Sequence, residues 1–308
     1  QGVSDAFDRR MVGAALDRQE PELIRKKNLQ GENGPDGKIM AYCRIKQREL
    51  EQKPHRVIHI QGKDGTTLVG HLFLAVQQKR VVLAMHGWRS CWARDFGAVA
   101  EFLQSAGCTV LYAEQRGQGR SGGDYMGFGM MERFDCRAWL DWLNGAGFAG
   151  LPIYLAGISM GASTVLMAAG DEHLPANVAG VIADCGFTSP WDIMKSVLHA
   201  RCKWLPAAPL LLALNVFSTL LGGFSLRECS TTGAVAAAKY PILFIHGKAD
   251  NFVPTRMSQE AYDACTSEKR LVLIDGAAHA KSYITDPARV QSALEDFFEN
   301  HLPKEEQV

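Results

Sequence analysis

One serine stands between two glycines in the stretch GISMG, residues 157–161, directly after an apolar, β-prone run. The two glycines let the backbone turn sharply from a strand into a helix, which would lift Ser159 above the end of the strand. The first N–H groups of that helix would point at the same place and stabilise a developing negative charge. The pattern therefore predicts Ser159 as a nucleophile and the Met160 N–H as a donor to an oxyanion.

An alcohol is a weak nucleophile at neutral pH, so Ser159 needs a base and an acid that orients this base. Two later apolar runs carry such groups at their ends: FIHGKAD ends in Asp250, and LIDGAAH ends in His279. The order Ser, Asp, His is the one expected when three loops converge above a doubly wound sheet. Asp184, at the end of the run GVIAD, is a second candidate for the acid.

An earlier apolar run, LAMHGWRS at residues 83–90, leads into the loop that should supply a second oxyanion donor. Gly87 allows the backbone to approach closely, and we assign the donor to the Trp88 N–H. The His86 side chain is expected to order this loop and to take no part in the chemistry.

Hydrophobic periodicity predicts the elements that must position these groups. A polar pattern over residues 1–50 predicts an N-terminal helical extension, and two β-prone runs then meet at Asp64-Gly65, a hairpin signal. Six apolar runs follow in alternation with helical patterns, which indicates an α/β fold with a doubly wound, mostly parallel sheet. We therefore expect one domain over residues 51–308 after the extension.

Residues 187–235 separate two predicted strands by more than a simple crossover requires, and they contain apolar helical patterns of their own. We expect this segment to form a small helical cap over the strand ends. Trp92, Phe128 and Trp191 are candidates for an apolar substrate pocket, with packing in the core or the cap as the alternative.

Composition argues against several other classes of function. Lys and Arg total 33, and Asp and Glu total 33, so the formal net charge is zero. No overall positive potential would then attract a nucleic acid. The eight cysteines lack the spacing of a metal finger. His55 and His59 lie in a strand-like run without other ligands nearby, so neither a metal nor a cofactor is expected.

The longest apolar stretch, residues 205–223, is interrupted by two prolines and by Asn215, which favours a buried or lid helix over a membrane span. We expect a cytoplasmic protein whose thiols are buried and reduced. Because the sequence begins with Gln, a membrane-anchored or exported protein with a further upstream segment is the alternative.

Five motifs in order, HGW, EQRGQGRSGG, GISMG, HGKADNFVP and GAAH, resemble the α/β-hydrolase superfamily, in particular the serine hydrolases of the peptidase S33-like and Bem46-like group. The resemblance covers roughly residues 55–301. It implies transfer of an acyl group to water through a serine ester, without a cofactor. By this resemblance Ser159 is the nucleophile, His279 the general base and Asp250 its orienting acid.

The apolar composition of the expected cap favours a carboxylic ester with a small or medium acyl or alkyl group as the substrate. An aminopeptidase or a thioesterase with the same three residues is the alternative, although only Asp192 and Glu228 in the cap could hold a substrate amine. Two further hypotheses are a non-catalytic ligand binder on the same scaffold and a membrane-associated lipid hydrolase with residues 205–223 as an interfacial lid. The sequence leaves the oligomeric state open.

Overall fold

The computed structural model describes residues 16–18, 37–201 and 207–301. Within these ranges, strands and helices alternate along most of the chain. The strands are β1 (Arg56–Gln61), β2 (Thr67–Phe73), β3 (Arg80–Met85), β4 (Cys108–Glu114), β5 (Ile153–Ile158), β6 (Val178–Asp184), β7 (Ile242–Gly247) and β8 (Lys269–Ile274). The helices are α1 (Gly37–Gln52), α2 (Trp92–Phe96), α3 (Ala100–Ser105), α4 (Glu132–Leu143), α5 (Met160–Ala168), α6 (Pro190–Arg201), α7 (Ala207–Gly222), α8 (Thr231–Ala237), α9 (Thr255–Ala264), α10 (Ser282–Thr285) and α11 (Pro287–Asn300), and a short π-helical turn (Asn144–Phe148) follows α4.

The strands form one sheet in the order β1-β2-β4-β3-β5-β6-β7-β8. The pairs β1–β2 and β2–β4 are antiparallel, and every other pair of neighbours is parallel. The predicted hairpin and the six predicted strands that follow it are all present. The expected α/β fold with a mostly parallel sheet is therefore confirmed.

Alternate residues of the central strands pack on opposite faces of the sheet. Leu83 and Met85 of β3 belong to one hydrophobic cluster, together with Trp139 of α4. Val82 and Ala84 of the same strand belong to a second cluster. Because both faces of these strands are buried, the polar groups available for chemistry lie in the loops at the strand ends.

The segment between β6 and β7 contains α6, α7 and α8, in agreement with the helical patterns expected over residues 187–235. Leu211 and Leu214 of α7 are buried in a third hydrophobic cluster, which also contains Phe128 and Met160. The role of this segment as a cap stays a prediction. No helix among the described residues is long and apolar enough to span a bilayer.

Of the helical extension predicted over residues 1–50, the structure describes only residues 16–18 and the helix α1 from Gly37 onward. The remainder of that extension lies outside the described residues. Helix α1 buries Cys43 and Leu50.

The turn from β5 into α5 is packed directly against the end of β3. A Cβ atom added to Gly161 would collide with the carbonyl group of Met85, and one added to Gly157 would collide with the carbonyl group of Gly161. Both glycines of the GISMG stretch are therefore required by close backbone approach.

Replacing Gly161 with Ala should destabilise the protein, because the new methyl group has no space against β3. We expect Tm, measured by scanning calorimetry, to fall by about 5–10 °C. Gly150→Ala is the matched control, since nothing lies within 4 Å of a Cβ added there. An equal change of Tm in both variants would contradict the steric argument.

Candidate active site

Ser159 occupies the turn between β5 and α5 with a backbone conformation that is rare for residues other than glycine. Its φ is 57° and its ψ is −117°. The turn is fixed at both ends, because the Ser159 N–H donates to the carbonyl of Asp184 at 2.8 Å and its own carbonyl accepts from the Ser163 N–H at 3.1 Å. Such strain persists where the surrounding structure holds it in place, and it is typical of functional sites.

Three of the residues predicted from the sequence lie in one hydrogen-bonded chain. The Nε2 atom of His279 lies 2.9 Å from Ser159 Oγ, and its Nδ1 atom lies 2.7 Å from Asp250 Oδ2. Ser159 follows β5, Asp250 follows β7 and His279 follows β8. Because these strands are parallel, their carboxyl ends bring the three loops to the same edge of the sheet.

The Asp250 carboxylate is buried, yet all of its hydrogen bonds favour the charged form. Its Oδ1 accepts from the backbone N–H groups of Phe252 and Val253 at 2.8 and 2.9 Å, and its Oδ2 lies 3.2 Å from His246 Nε2 as well as near His279. Burial alone would raise the pKa of Asp250, but hydrogen bonds from His246 and His279 hold that pKa well below its usual range. The carboxylate therefore keeps a proton on His279 Nδ1 and leaves Nε2 facing Ser159.

The alternative acid, Asp184, has different surroundings. Its Oδ1 accepts from the Ser282 hydroxyl at 2.8 Å. Burial raises the pKa of Asp184 to about 6. No hydrogen bond joins its carboxylate to His279 in the described part of the chain. The geometry favours Asp250 as the partner of the histidine.

The two predicted oxyanion donors lie in backbone segments that flank Ser159. Met160 is the first residue of α5, so its N–H has no acceptor within the helix. On the other side, a Cβ added to Gly87 would lie 3.3 Å from Ser159 Cβ, which places the loop of Trp88 beside the serine. The Gly87 N–H itself donates to Asp95 Oδ2 at 2.7 Å.

His86 orders this loop, as expected. Its Nε2 accepts from the Gln115 N–H at 3.2 Å, so Nδ1 carries the hydrogen that is donated to the Gly87 carbonyl at 2.8 Å. Burial lowers the pKa of His86, which favours this neutral form. The backbone of the donor loop is thereby tied to the end of β4.

A family model described as "Serine aminopeptidase, S33" matches residues 76–216 and 225–282. The chain belongs to this family. It is an α/β-hydrolase, in keeping with its mostly parallel eight-stranded sheet and with the resemblance carried by its five motifs.

This S33 family member is similar in sequence to the uncharacterized protein YqkD of Bacillus subtilis, with 32% identity over 252 residues, which cover 82% of this chain and 81% of that protein. In structure it is similar to the esterase Pf2001 of Pyrococcus furiosus, with a TM-score of 0.65 and 24% identity over 82% of this chain and 95% of the other. It is also similar to Est1E from Butyrivibrio proteoclasticus, solved with ferulic acid, with a TM-score of 0.59 and 19% identity over 79% and 98% of the two chains. At these identities the two solved structures show the fold alone.

A series of aromatic side chains begins beside the catalytic histidine candidate of this α/β-hydrolase. The ring of Phe252 lies 5.0 Å from that of His279, and the ring of Trp88 lies 6.5 Å from Phe252 and 6.1 Å from Phe128. Trp191 packs against the same hydrophobic cluster. Phe252 was not among the residues predicted from the sequence, where its only signal is its place two residues after Asp250.

The prediction of Trp92 as a pocket residue is wrong. Its ring is buried and stacks on His71 with a centroid distance of 4.1 Å, and it belongs to the core cluster that contains Phe73 and Tyr112. Trp92 is the first residue of the short helix α2, which directs the ring into the core. Packing, the alternative considered for this residue, is its role.

Among the residues that the structure describes, Cys185, Asp250 and His279 are of metal-ligand types and have ligand atoms within 4.8 Å of one another. Asp250 and His279 are hydrogen-bonded to each other. Burial raises the pKa of the Cys185 thiol well above its usual value, which keeps it protonated. These contacts favour packing for Cys185 and the hydrogen-bonded chain for the other two residues.

The raised pKa of Asp184 predicts a stability difference that depends on pH. Between pH 3.8, the ordinary pKa of an aspartate, and about pH 6, the folded protein binds a proton at Asp184 that the unfolded protein has lost. The wild-type protein therefore loses stability as pH rises through this range. Asn does not titrate and keeps an acceptor for Ser282. Relative to wild type, Asp184→Asn should therefore gain about 1–2 kcal/mol in the free energy of unfolding between about pH 4 and pH 7.

Urea unfolding of both proteins at the two pH values measures this difference. Groups that titrate equally in both proteins cancel in the comparison. A gain that is the same at both pH values would show that the Asp184 carboxyl is not buried in the way described.

Proposed function

We propose that this protein is a serine hydrolase that cleaves carboxylic esters with a small or medium apolar acyl or alkyl group, through an acyl-enzyme. The chain of hydrogen bonds from Ser159 through His279 to the buried Asp250 carries the proposal. An alcohol, an imidazole and a carboxylate in this order activate a nucleophile in acyl transfer.

In the first step Ser159 Oγ attacks the ester carbonyl carbon while His279 Nε2 takes the hydroxyl proton. The Asp250 carboxylate stabilises the imidazolium that forms, because its hydrogen bonds hold it charged. The N–H groups of Met160 and Trp88 donate to the carbonyl oxygen as it becomes an oxyanion.

In the second step the tetrahedral intermediate collapses and the imidazolium gives its proton to the departing alkoxide. This leaves an alcohol as product and an ester between the acyl group and Ser159. Water then attacks that ester with His279 as general base, and the same donors stabilise the second oxyanion. Release of the carboxylic acid restores the serine.

The side chains near the serine favour an apolar substrate group over a charged amine. Phe252 packs beside His279, Trp88 packs beside Phe252, and Phe128 packs beside Trp88. Both acidic residues of the expected cap have partners already. Asp192 accepts from the hydroxyls of Thr188 and Ser189, and Glu228 pairs with Arg133.

An aminopeptidase needs a carboxylate that is available to the amine of its substrate, so these pairings favour an esterase within the S33 family. A thioesterase uses the same three residues and the same oxyanion donors. It is therefore the nearest alternative and has to be separated by the choice of substrate.

Replacing Ser159 with Ala should lower kcat/KM for p-nitrophenyl esters by about 10⁴–10⁶-fold, because the covalent route is lost. Ser105→Ala, at the end of α3, is the matched control and should keep full activity. The acyl length with the highest Ser159-dependent kcat/KM would indicate the length of the pocket that holds the acyl group. Parallel assays on acyl thioesters and aminoacyl p-nitroanilides separate the alternatives.

Unchanged activity of a folded Ser159→Ala protein, or no labelling of the wild type by a fluorophosphonate, would contradict the proposal. The second result would favour a non-catalytic binder. A preference for thioesters or anilides would keep the mechanism and change the substrate class.

One observation favours a lipid surface as the setting of this reaction. Helix α7 exposes Leu212, Val216, Leu220 and Leu221 by 54%, 53%, 74% and 53%, and three of them recur at every fourth position. No charged residue occurs between residues 204 and 226. We infer that this apolar face enters the interfacial region of a membrane that holds the apolar ester.

The double variant Leu212→Ser with Leu220→Ser should bind vesicles of equimolar phosphatidylcholine and phosphatidylglycerol about tenfold more weakly than wild type in co-sedimentation. Its kcat/KM on a soluble ester should stay unchanged. Val76→Ser is the control, since Val76 is fully exposed elsewhere on the chain. Equal binding of all three proteins would show that α7 does not contact lipid.

A further inference from the structure

A second histidine contacts the acid of the hydrogen-bonded chain. His246 lies on β7, four residues before Asp250, and its side chain is fully buried. Its Nε2 lies 3.2 Å from Asp250 Oδ2 and 3.0 Å from the Val253 carbonyl, and its Nδ1 lies 2.6 Å from Ser258 Oγ. Every polar atom of the ring therefore has a partner.

These partners determine where the ring carries hydrogen. Because Nε2 faces a carboxylate and a carbonyl, both of them acceptors, Nε2 must be the donor. Ser258 can pair with Nδ1 whether or not that atom carries hydrogen. Its hydroxyl can donate to a bare Nδ1, or it can accept from a protonated Nδ1 and donate to the Gly186 carbonyl at 3.4 Å. His246 thus donates to Asp250 whether the ring is neutral or charged.

His246 donates to the same Asp250 oxygen that accepts from His279. Asp250 Oδ2 lies 2.7 Å from His279 Nδ1 and 3.2 Å from His246 Nε2, while Oδ1 is held by two backbone N–H groups. Four donors therefore fix the plane of this carboxylate. An acceptor oxygen shared by two imidazoles stabilises each of them less than an unshared one would.

We propose that His246 is a positioning residue for the proposed hydrolysis: it fixes the Asp250 carboxylate and limits how strongly that carboxylate stabilises protonated His279. This role rests on the proposed function, yet His246 touches neither substrate nor Ser159. Removing its Nε2–H should leave the carboxylate less well oriented and, at the same time, a stronger acceptor for His279.

Titratable groups from other elements also face this pair. Asp184 and Cys185 lie at the end of β6, and burial keeps the thiol protonated and raises the pKa of Asp184 to about 6. Helix α9 adds no charge toward His246, because its charged residues are all exposed. Arg256 pairs with Glu260, and Asp263 accepts from Gln259. Since the pKa of Asp184 is raised to about 6, the experiment is repeated in an Asp184→Asn background.

The test compares wild type with His246→Leu, which lacks any donor, and His246→Gln, whose amide can donate from a similar position. NMR titration of His279 needs no substrate, and in His246→Leu its midpoint should move up by about half to one pH unit. The acid limb of kcat/KM on the p-nitrophenyl ester should move by the same amount. At its plateau, kcat/KM should fall about 10–100-fold through loss of orientation.

His246→Gln should restore the wild-type midpoint of the His279 titration, because its amide can donate to Asp250. If His246 only filled space in the core, this variant would not restore it. Phe244→Leu, also buried in β7, is the control for lowered stability and should leave the midpoint unchanged. An unshifted His279 in folded His246→Leu would overturn the inference. Unchanged activity of Ser159→Ala would instead overturn the proposed function and leave the titration result standing.

If His246→Leu does not fold, ¹⁵N-histidine spectra of the wild-type protein provide the decisive measurement. Nε2 of His246 should carry hydrogen throughout the pH range in which the protein is folded. A His246 protonated only on Nδ1 could not donate to Asp250, and this result would overturn the inference.

Discussion

The packing of the Ser159 turn against the end of β3 is the constraint on which the site depends. Gly161 lies so close to the Met85 carbonyl that no side chain fits between them. This contact brings the first residues of α5 and the loop after β3 close to the same serine. The loops after β7 and β8 then need only reach the same sheet edge, which parallel strands ensure.

Two carboxylates at neighbouring strand ends differ in charge behaviour because their hydrogen bonds differ. Asp250 has four donors and keeps its charge despite burial. Asp184 has one hydroxyl donor, and burial raises its pKa to about 6. Environments that push the pKa values of two acids apart assign them different tasks. Asp250 can stabilise an imidazolium at neutral pH, whereas Asp184 mainly fixes the backbone through its carbonyl and Ser282.

The sequence predicted those features that depend on local pattern. Strands buried on both faces appear as continuous apolar runs, and Ser159, Asp250 and His279 stand out because they are polar residues at the ends of such runs. Periodicity does not tell which way a ring points from a five-residue helix, so Trp92 was misassigned. His246 could not be predicted from the sequence for another reason. Within β7 it occupies what reads as a core position, and its contact with Asp250 forms only when the loop after β7 folds back.

The Ser159 turn and the outer face of α7 both depart from local preference, and they differ in what offsets the departure. Ser159 adopts a strained φ of 57°, but two backbone hydrogen bonds and the packing of Gly161 hold that turn in place. Among the described residues, nothing covers the exposed leucines of α7, since Leu212 and Leu220 face solvent while Leu211 and Leu214 fill the core. Burial of the inner face explains why the helix forms. It does not require an apolar outer face, and the membrane contact proposed above would account for that face.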